Sequence, residues 1–344
     1  MTLAQNSVKS YLGVALETTK GTAIAATNFV PITLNSFKPD DVIAPLYDTG
    51  TRGSLVENYN YVQGRRNTTV DFGGPVFADT IGFWIAGVLG DVTTTGSSAP
   101  YTHVISLKNT VGSTSDAQPK ALTITDFYGA NTRYYPGQQI TDFGLTFNAD
   151  GMLEYTVKAI GWASSTTTAP APSFTSVLPT QVWTGVVTIG GTTVGYVTTG
   201  TLDLSRKSET IWGLSGTQNP YQVFLGSLTA KGKLTFVMQD DTELTRYITN
   251  TQPALTVTFS TGSGSTATQV AFQLSKGAYV TGAIDRGTEH VTVSVDIEGL
   301  GNTTDVGATG GCCWMDACGC RLFCGCRYPG TGFGYGKGGF LACY

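Results

Sequence analysis

The stretch Phe143–Val157, which reads FGLTFNADGMLEYTV, decides how the rest of the sequence is interpreted. Apolar and polar side chains alternate on both sides of a turn at Asn148–Gly151, so each flank presents one apolar face to a core. Such a turn between two alternating runs predicts a β-hairpin. Residues 278–284 and 291–297 predict a second hairpin, with its turn at Asp285–Gly287. The apolar positions of the first hairpin are Phe143, Leu145, Phe147, Leu153, Tyr155 and Val157.

The composition of the 344-residue chain favours a mainly β protein. Only 13% of the residues are charged and 44 are glycine, which is too apolar for a disordered chain and too poor in helix formers for a helical one. The formal net charge of −4 argues against tight binding to nucleic acid, because phosphate contacts need a basic surface.

The sequence predicts no membrane span. The N-terminal residues 1–10 are polar and lack the apolar centre of a signal peptide. The longest apolar stretch, residues 75–89, is too short to cross a bilayer and is interrupted by Asp79. We therefore expect a protein that is made in a cytoplasm and does not enter a membrane.

The order of predicted elements is the same in the two halves of the chain. Each half has a strand, a helix, a second strand and a hairpin, which predicts a tandem duplication of one β unit with a flanking helix. Chance recurrence in an all-β chain is the alternative. The elements lie at 68–72, 76–89, 121–125 and 143–159 in the first half and at 232–238, 240–248, 254–259 and 278–297 in the second.

These matches set the expected domain organisation. Residues 1–162 form a first β unit and residues 180–307 a second, and we expect each to be sandwich- or barrel-like. The Ser-, Thr- and Pro-rich segment 163–179 has the composition of a linker that spans the two units without packing. Residues 308–344 form a separate Cys- and Gly-rich tail.

Catalytic residue patterns are absent from the sequence. The chain has only two histidines, His103 and His290, and neither accompanies a nucleophile motif or a carboxylate at metal-binding spacing. Both lie in alternating strand patterns, which favours structural roles. We therefore predict neither enzymatic activity nor a cofactor.

Residues 36–66 show little apolar periodicity, which predicts a long loop. A loop of this length in a compact protein is usually functional or part of an interface. Its charged side chains are the candidate contact residues. They are Asp40, Asp41, Asp48, Arg52, Glu57, Arg65 and Arg66.

Six motifs occur in this order along the chain: Ala4–Ala15, Glu17–Ala23, Asp71–Gly74, Asp126–Tyr128, Asp240–Tyr247 and Asn302–Gly307. Together they resemble the tail tube proteins of siphophages that infect actinobacteria. The similarity spans roughly residues 4–307. It implies a β-sandwich with a flanking helix, self-assembly into stacked rings with sixfold symmetry, and no catalytic residues. It also implies that a long loop in the N-terminal third bridges stacked rings, which matches residues 36–66.

The predicted function is a structural virion protein that forms the tube through which phage DNA passes. If each chain supplies two units, a ring holds three chains as a pseudo-hexamer, which we favour over six chains. Expected partners are other copies of the chain, a tape measure protein and a tail terminator. Residues 308–344 hold three cations and one acid, so the remainder carries −6, and an acidic lumen would let DNA slide without specific binding. The alternative is a carbohydrate-binding or adhesive β-sandwich that uses Tyr59, Tyr61, Tyr134 and Tyr135.

The tail departs from the family after about Thr309. All seven cysteines lie between Cys312 and Cys343. The pattern allows a thiolate metal cluster, disulfides with one cysteine left over, or an appended or frame-shifted segment without a role, and we favour the last. The weak metal candidates are Cys312, Cys313, Cys318, Cys320, Cys324 and Cys326.

Overall fold

The computed structural model describes residues 6–96, 101–108, 117–129, 131–262, 267–287, 289–301 and, for the backbone, 320–326. Strands hold 56% of the residues and helices 8%, so the prediction of a mainly β protein is confirmed. The two helices are α1 (Gly82–Leu89) and α2 (Thr242–Ile248). The first ten strands are β1 Tyr11–Leu16, β2 Asn28–Val30, β3 Lys38–Asp48, β4 Asn60–Pro75, β5 Gly90–Thr95, β6 Tyr101–Leu107, β7 Leu122–Phe127, β8 Thr132–Asn148, β9 Glu154–Gly161 and β10 Ser165–Thr167. The others are β11 Val186–Ile189, β12 Thr192–Val194, β13 Val197–Ile211, β14 Gln222–Val237, β15 Leu255–Thr261, β16 Thr268–Leu274, β17 Gly277–Asp285, β18 Thr292–Gly299 and β19 Cys320–Cys326.

The strands form two open sheets, one of 12 strands and one of seven. Both predicted hairpins are confirmed: Phe143 pairs with Val157 in β8–β9, and Ile284 pairs with Val293 in β17–β18. Alternation along these strands directs one row of side chains into a core shared by the two sheets and α1. The rings of Phe147 and Phe259 pack edge to face across that core, with their centroids 5.5 Å apart. No helix among the described residues is long and apolar enough to cross a bilayer.

One run of eight strands within the larger sheet, here called the main sheet, contains strands from both halves of the chain. Its order is β3-β4-β9-β8-β13-β14-β18-β17, and every neighbouring pair is antiparallel. The first four strands precede residue 162 and the last four follow residue 196. The β8–β13 pairing, here called the junction, joins these two sets of four.

The two sets of four strands have the same connections and share two register shifts, although β13–β14 has a further shift between Val197 and Thr199. The hairpin β3–β4 shifts register between Ile43 and Pro45, and β13–β14 shifts between Arg206 and Ser208. Likewise, β8–β9 shifts after Ile140 and β17–β18 shifts after Tyr279. Because a β-bulge is a specific structural feature, two coincident bulges align the halves residue by residue.

Backbone hydrogen bonds outside the strand ladders repeat in the same way. The amide of Tyr59 donates to the Asp48 carbonyl, and the amide of Tyr221 donates to the Ile211 carbonyl, both at 2.9 Å. Where each set leads into its helix, Val76 donates to Leu153 at 2.8 Å and Met238 donates to Val291 at 2.9 Å. The correspondence between the two sets of strands therefore includes individual backbone hydrogen bonds.

Helix α1 is shorter than the predicted helix at 76–89. Pro75 ends β4, opposite Glu154, instead of starting a helical turn. Val76 stays at the sheet by donating to the Leu153 carbonyl, and a turn in which the Phe77 carbonyl accepts from Ile81 then leads into α1. The predicted stop is correct, since Gly90 follows α1 with a φ of 105°, a conformation that favours glycine.

The segment 163–179 packs on the first half, so the prediction of a non-packing linker is wrong. Strand β10 pairs with the N-terminal part of β8. Further along, the Tyr11 hydroxyl donates to the Pro170 carbonyl at 2.7 Å, and Phe174 contacts the rings of Tyr11 and Phe29. A segment rich in Ser, Thr and Pro therefore becomes ordered, because its few apolar side chains find partners.

The backbone of residues 320–326 forms β19, which lies between β16 and β6 in the smaller sheet. It follows the β17–β18 hairpin and pairs with β16, just as β10 follows the β8–β9 hairpin and pairs with β8. The sequence interpretation of a tail without a role does not anticipate this placement. That the tail has no role stays a prediction.

Two glycines of α1 give a matched test of core packing. A Cβ at Gly87 would lie 2.6 Å from Ile140 Cγ1, whereas a Cβ at Gly82 would meet only Ile105 Cδ1 at 3.8 Å. We expect Gly87→Ala to lower the free energy of unfolding by about 1–3 kcal/mol through overpacking. The control Gly82→Ala should be neutral or slightly stabilising, because alanine favours a helix. Urea unfolding midpoints measure both, and equal midpoints would contradict the described packing.

Candidate assembly surfaces

The described residues present extended surfaces instead of a reactive pocket. An internal pocket between the sheets is lined mainly by apolar core side chains such as Ile85, Phe143 and Leu255. His103 is buried in β6, where its Nδ1 lies 2.8 Å from the Thr94 hydroxyl and burial lowers its pKa. His290 is exposed just before β18. Within the described ranges, no group of three or more His, Cys, Asp or Glu residues is arranged to hold a metal ion.

The cysteine candidates receive no support as a metal site. Cys312, Cys313 and Cys318 lie outside the described residues. Cys320, Cys324 and Cys326 lie in β19, which is described by its backbone alone.

One face of the main sheet is polar and open, and we call it the polar face. Its side chains alternate with the core row, so register partners across the strands share it. Lys38, Asp71, Lys158 and Asp142 follow one another across β3, β4, β9 and β8 as such partners. The polar face carries eight carboxylates and four lysines: Asp40, Asp71, Asp142, Glu154, Asp203, Asp285, Asp296, Glu298, Lys38, Lys158, Lys231 and Lys233.

The excess of carboxylates affects the pKa of an acidic residue at the junction. Asp203 of β13 lies beside Gly144 of β8, where a Cβ would approach its Oδ1 to 2.8 Å. Burial raises the pKa of Asp203, the Thr201 hydroxyl acts in the opposite direction by donating a hydrogen bond, and the nearby Asp142 charge raises it again. The polar face is therefore a surface of net negative charge.

Residues 36–66 are mostly strand, so the prediction of an irregular loop is wrong. Strand β3 and the start of β4 form a two-stranded extension, here called the first ribbon, with its tip at residues 49–59. Strands β13 and β14 form the second ribbon, with its tip at residues 212–221. The first ribbon lacks clear alternation because both of its faces are exposed, so no apolar row is required.

The predicted contact residues divide between the base, stem and tip of the first ribbon. Asp48 and Arg52 form an ion pair at the tip, with the Arg52 guanidinium 4.6 Å from the centre of the Tyr59 ring. Glu57 is an exposed tip residue. Arg65 and Arg66 lie in the β4 stem and Asp40 and Asp41 in β3 at the base, so the structure does not bring these seven residues together.

Asp41 has a structural role that the sequence did not indicate. Its carboxylate accepts hydrogen bonds from the Ser164 amide at 3.0 Å and from the hydroxyls of Ser164 and Thr68, and Arg133 lies 3.9 Å away. Burial alone would raise the pKa of Asp41, but these hydrogen bonds and the Arg133 charge outweigh burial and lower it. Asp41 thus fastens the segment after β9 to the base of the first ribbon.

The second ribbon tip packs on the stem of the first ribbon. The Arg66 amide donates to the Gln218 carbonyl at 2.9 Å, and the Gln218 side chain donates to the Gln63 carbonyl at 2.8 Å. The Arg65 guanidinium lies 5.3 Å from the centre of the Trp212 ring. Leu214 remains fully exposed beyond this contact. Sequence reasoning missed this contact because a hydrogen bond to a backbone carbonyl leaves no residue pattern.

The four tyrosines proposed for a carbohydrate site do not form one surface. Tyr135 is buried against Phe37, so it is not available to stack on a sugar. Tyr61 is exposed on the first ribbon, and Tyr59 lies under Arg52. Tyr134, in β8, is half-buried, so the four tyrosines do not present four exposed rings.

The two open sheets, the acidic polar face and the exposed ribbons define a mainly β protein built from extended surfaces. A protein-family model described as "Phage tail tube protein" matches residues 7–299. The chain belongs to this phage tail tube family and is a structural component of the tail. No curated protein matches the sequence.

The partners of Asp41 predict a pH-dependent effect of its removal. Because the folded-state pKa of Asp41 is lowered, its ionised form stabilises the fold above the unfolded value of about 4, and that contribution is lost as pH falls through the folded value. We expect Asp41→Asn to lower the urea midpoint at pH 7 and the loss to shrink toward pH 3. The neighbouring exposed Asp40→Asn is the control and should change little. An equal loss from Asp41→Asn at both pH values would contradict the charge-based explanation.

Proposed function

We propose that this chain assembles into the tube of a long-tailed phage virion, with three copies in each ring and rings stacked around a lumen. The supporting observation is the main sheet, in which one four-strand arrangement occurs twice with the same connections and bulges. Each arrangement corresponds to one tail tube unit, so each chain carries two. Six units per ring, which the family resemblance implies, then require three chains.

Ring geometry is consistent with a tube that admits DNA. Three copies of an eight-stranded main sheet form a belt of twenty-four strands. With strands about 4.8 Å apart and tilted by about 35–45°, the backbone diameter of such a belt is about 45–50 Å. Side chains on the inner wall reduce this width, and the remaining lumen still admits a DNA duplex.

The polar face is the proposed wall of the lumen. Its excess of carboxylates over lysines repels phosphate, which keeps passing DNA from adhering. The opposite, apolar face is already covered by α1 and the second sheet. No catalysis is required for this role, and the buried His103 is assigned to structure. Other expected partners are a tape measure protein within the lumen and a tail terminator at the end of the tube. We assign synthesis of the chain to the cytoplasm of the bacterial host.

The ribbons are the proposed contacts between stacked rings. Both tips extend beyond the main sheet and end in exposed apolar side chains, among them Leu55, Val56 and Leu214. Exposed apolar groups of this kind mark association surfaces when they cluster. The first tip also carries the exposed Glu57 and the ion pair between Asp48 and Arg52, which are polar groups that can contact the next ring.

Electron microscopy and native mass spectrometry of the purified full chain test this assembly. We expect tubes or stacked rings, and isolated rings with the mass of three chains. Monomers at all concentrations, under conditions where the chain is folded, would contradict the proposed function. Rings of six chains would be consistent with a tube but would contradict the proposal that each chain supplies two units.

The charge of the proposed lumen wall gives a separate prediction. Glu154→Lys introduces a cation on the polar face, whereas Gln269→Lys adds one at an exposed position of the second sheet. We expect assembled Glu154→Lys tubes to retain labelled duplex DNA in a salt-dependent manner and the control tubes to retain none. Equal retention by both variants would show that the polar face does not line the DNA path.

A further inference from the structure

The main sheet ends in two strand edges, β3 on one side and β17 on the other, that have no partner strand among the described residues. Edge strands with free backbone groups tend to pair with other chains unless they are protected. Both edges also expose apolar side chains: Val42, Ile43, Leu46 and Tyr47 on β3 and Val280 and Ile284 on β17. These edges therefore have the composition of surfaces that become covered.

The junction inside the chain shows how such edges fit together. In β8–β13 the partners are Thr146 with Thr201, Leu145 with Leu202, and Gly144 with Asp203. The bulges align β8 with β17, so that Leu145 corresponds to Ile284, and β13 with β3, so that Leu202 corresponds to Pro39. Leu145 is 1% exposed, whereas its counterpart Ile284 is 41% exposed. The difference is the one expected if Ile284 lacks the neighbouring strand that covers Leu145.

We infer that β17 of one copy pairs antiparallel with β3 of the next copy in the register of the junction. This inference rests on the proposed function and identifies the contact that closes the ring. Transferring the register places Asp285 opposite Lys38, Ile284 opposite Pro39, and Ala283 opposite Asp40. One rule of pairing then generates every unit-to-unit contact in the ring, within and between chains.

The residues at the two edges are complementary in this register. The junction pairs two neutral threonines at the position where the edges pair a carboxylate, Asp285, with an ammonium, Lys38. Opposite charges directly across two strands stabilise the pairing. Shifting the register by one residue would place the Lys38 side chain on the wrong face. The charge pair thus specifies both the partner edge and its alignment.

Pro39 makes the contact between chains weaker than the junction. A proline has no backbone N–H, so this position has one donor fewer than Leu202 in β13. Prolines at edges protect free monomers against indiscriminate strand pairing. The contact between chains is therefore selective and the junction permanent.

The ribbons support the same direction of assembly. The second ribbon tip belongs to the unit that contains β13. It packs on the stem of the first ribbon, which belongs to the unit that contains β8. Applying the same relation between chains places the first ribbon tip on the β14 stem of the copy whose β17 pairs with β3. Leu214 stays exposed in the internal contact and so remains free for the next ring.

A charge swap tests the register in the full chain. Lys38 and Asp285 are both exposed, but Lys38→Asp also faces Asp71 within its own sheet, so unfolding midpoints must first verify that each variant is folded. We expect each single variant to weaken ring formation about fivefold per contact, and the double variant to restore it, because the opposite charges face each other again. Failure of the double variant to restore assembly, with folding intact, would overturn the charge pairing.

A disulfide between chains tests the same register by geometry. Asp40→Cys combined with Ala283→Cys should cross-link neighbouring copies, because the junction brings their counterparts Asp203 and Gly144 together. The two edges of one main sheet lie about 34 Å apart at about 4.8 Å per strand, so this disulfide cannot form within one chain. The control pair Asp40→Cys with Thr281→Cys is two residues out of register and should cross-link poorly.

Peptide mapping by mass spectrometry separates these disulfides from any that involve the native tail cysteines. If the wild-type chain forms rings but the variant with Asp40→Cys and Ala283→Cys does not cross-link, the inferred register is wrong and the ring proposal still stands. Absence of rings from the wild-type chain would instead reject the proposed function itself.

Discussion

The pairing of β8 with β13 is the contact on which the rest of the structure depends. It joins the two sets of four strands into one sheet, and its apolar row, Leu145 beside Leu202, continues the shared core from one half to the other. Without it each half would expose another long strand edge, which is a hazard for a free monomer. An ordinary strand ladder therefore joins the two sets of four strands into one sheet.

The two kinds of edge differ in a way that physical chemistry explains. At the permanent contact within the chain, no facing positions pair opposite charges: Thr146 faces Thr201, and the carboxylates Asp203 and Asp142 face Gly144 and Ser205. At the free ends, the aligned positions hold Asp285 and Lys38, and Pro39 replaces Leu202. Charges and proline keep an exposed edge soluble while still allowing one alignment with a complementary edge.

Sequence patterns predicted the parts of the fold in which one face is buried. The hairpins β8–β9 and β17–β18, strand β15 and helix α2 follow from alternation, turn chemistry and an acidic helix start. The first ribbon was not predicted, because a strand that is exposed on both faces has no alternation of apolar and polar residues to detect. Helix α1 was predicted too long, since a proline at residue 75 fits both the end of a strand and the start of a helix.

The candidate site was harder to predict than the fold. Net charge alone suggested an acidic lumen, but the choice of acids required the cross-strand register that places Asp71 beside Lys158 and Asp142. The charged residues of 36–66 looked like one contact loop, yet Asp41 proves to be tied to Ser164 and Thr68 at the ribbon base. Contacts through backbone atoms, such as Gln218 on the first ribbon, leave no trace in residue type.

The central claim is that one chain supplies two equivalent units to the ring, and a strand-resolved electron microscopy reconstruction of the assembled tube tests it most directly. The account predicts a continuous belt of twenty-four strands with threefold symmetry, in which β8–β13 contacts alternate with β17–β3 contacts between chains. A ring of six chains in which only one half of each chain lines the lumen would contradict it.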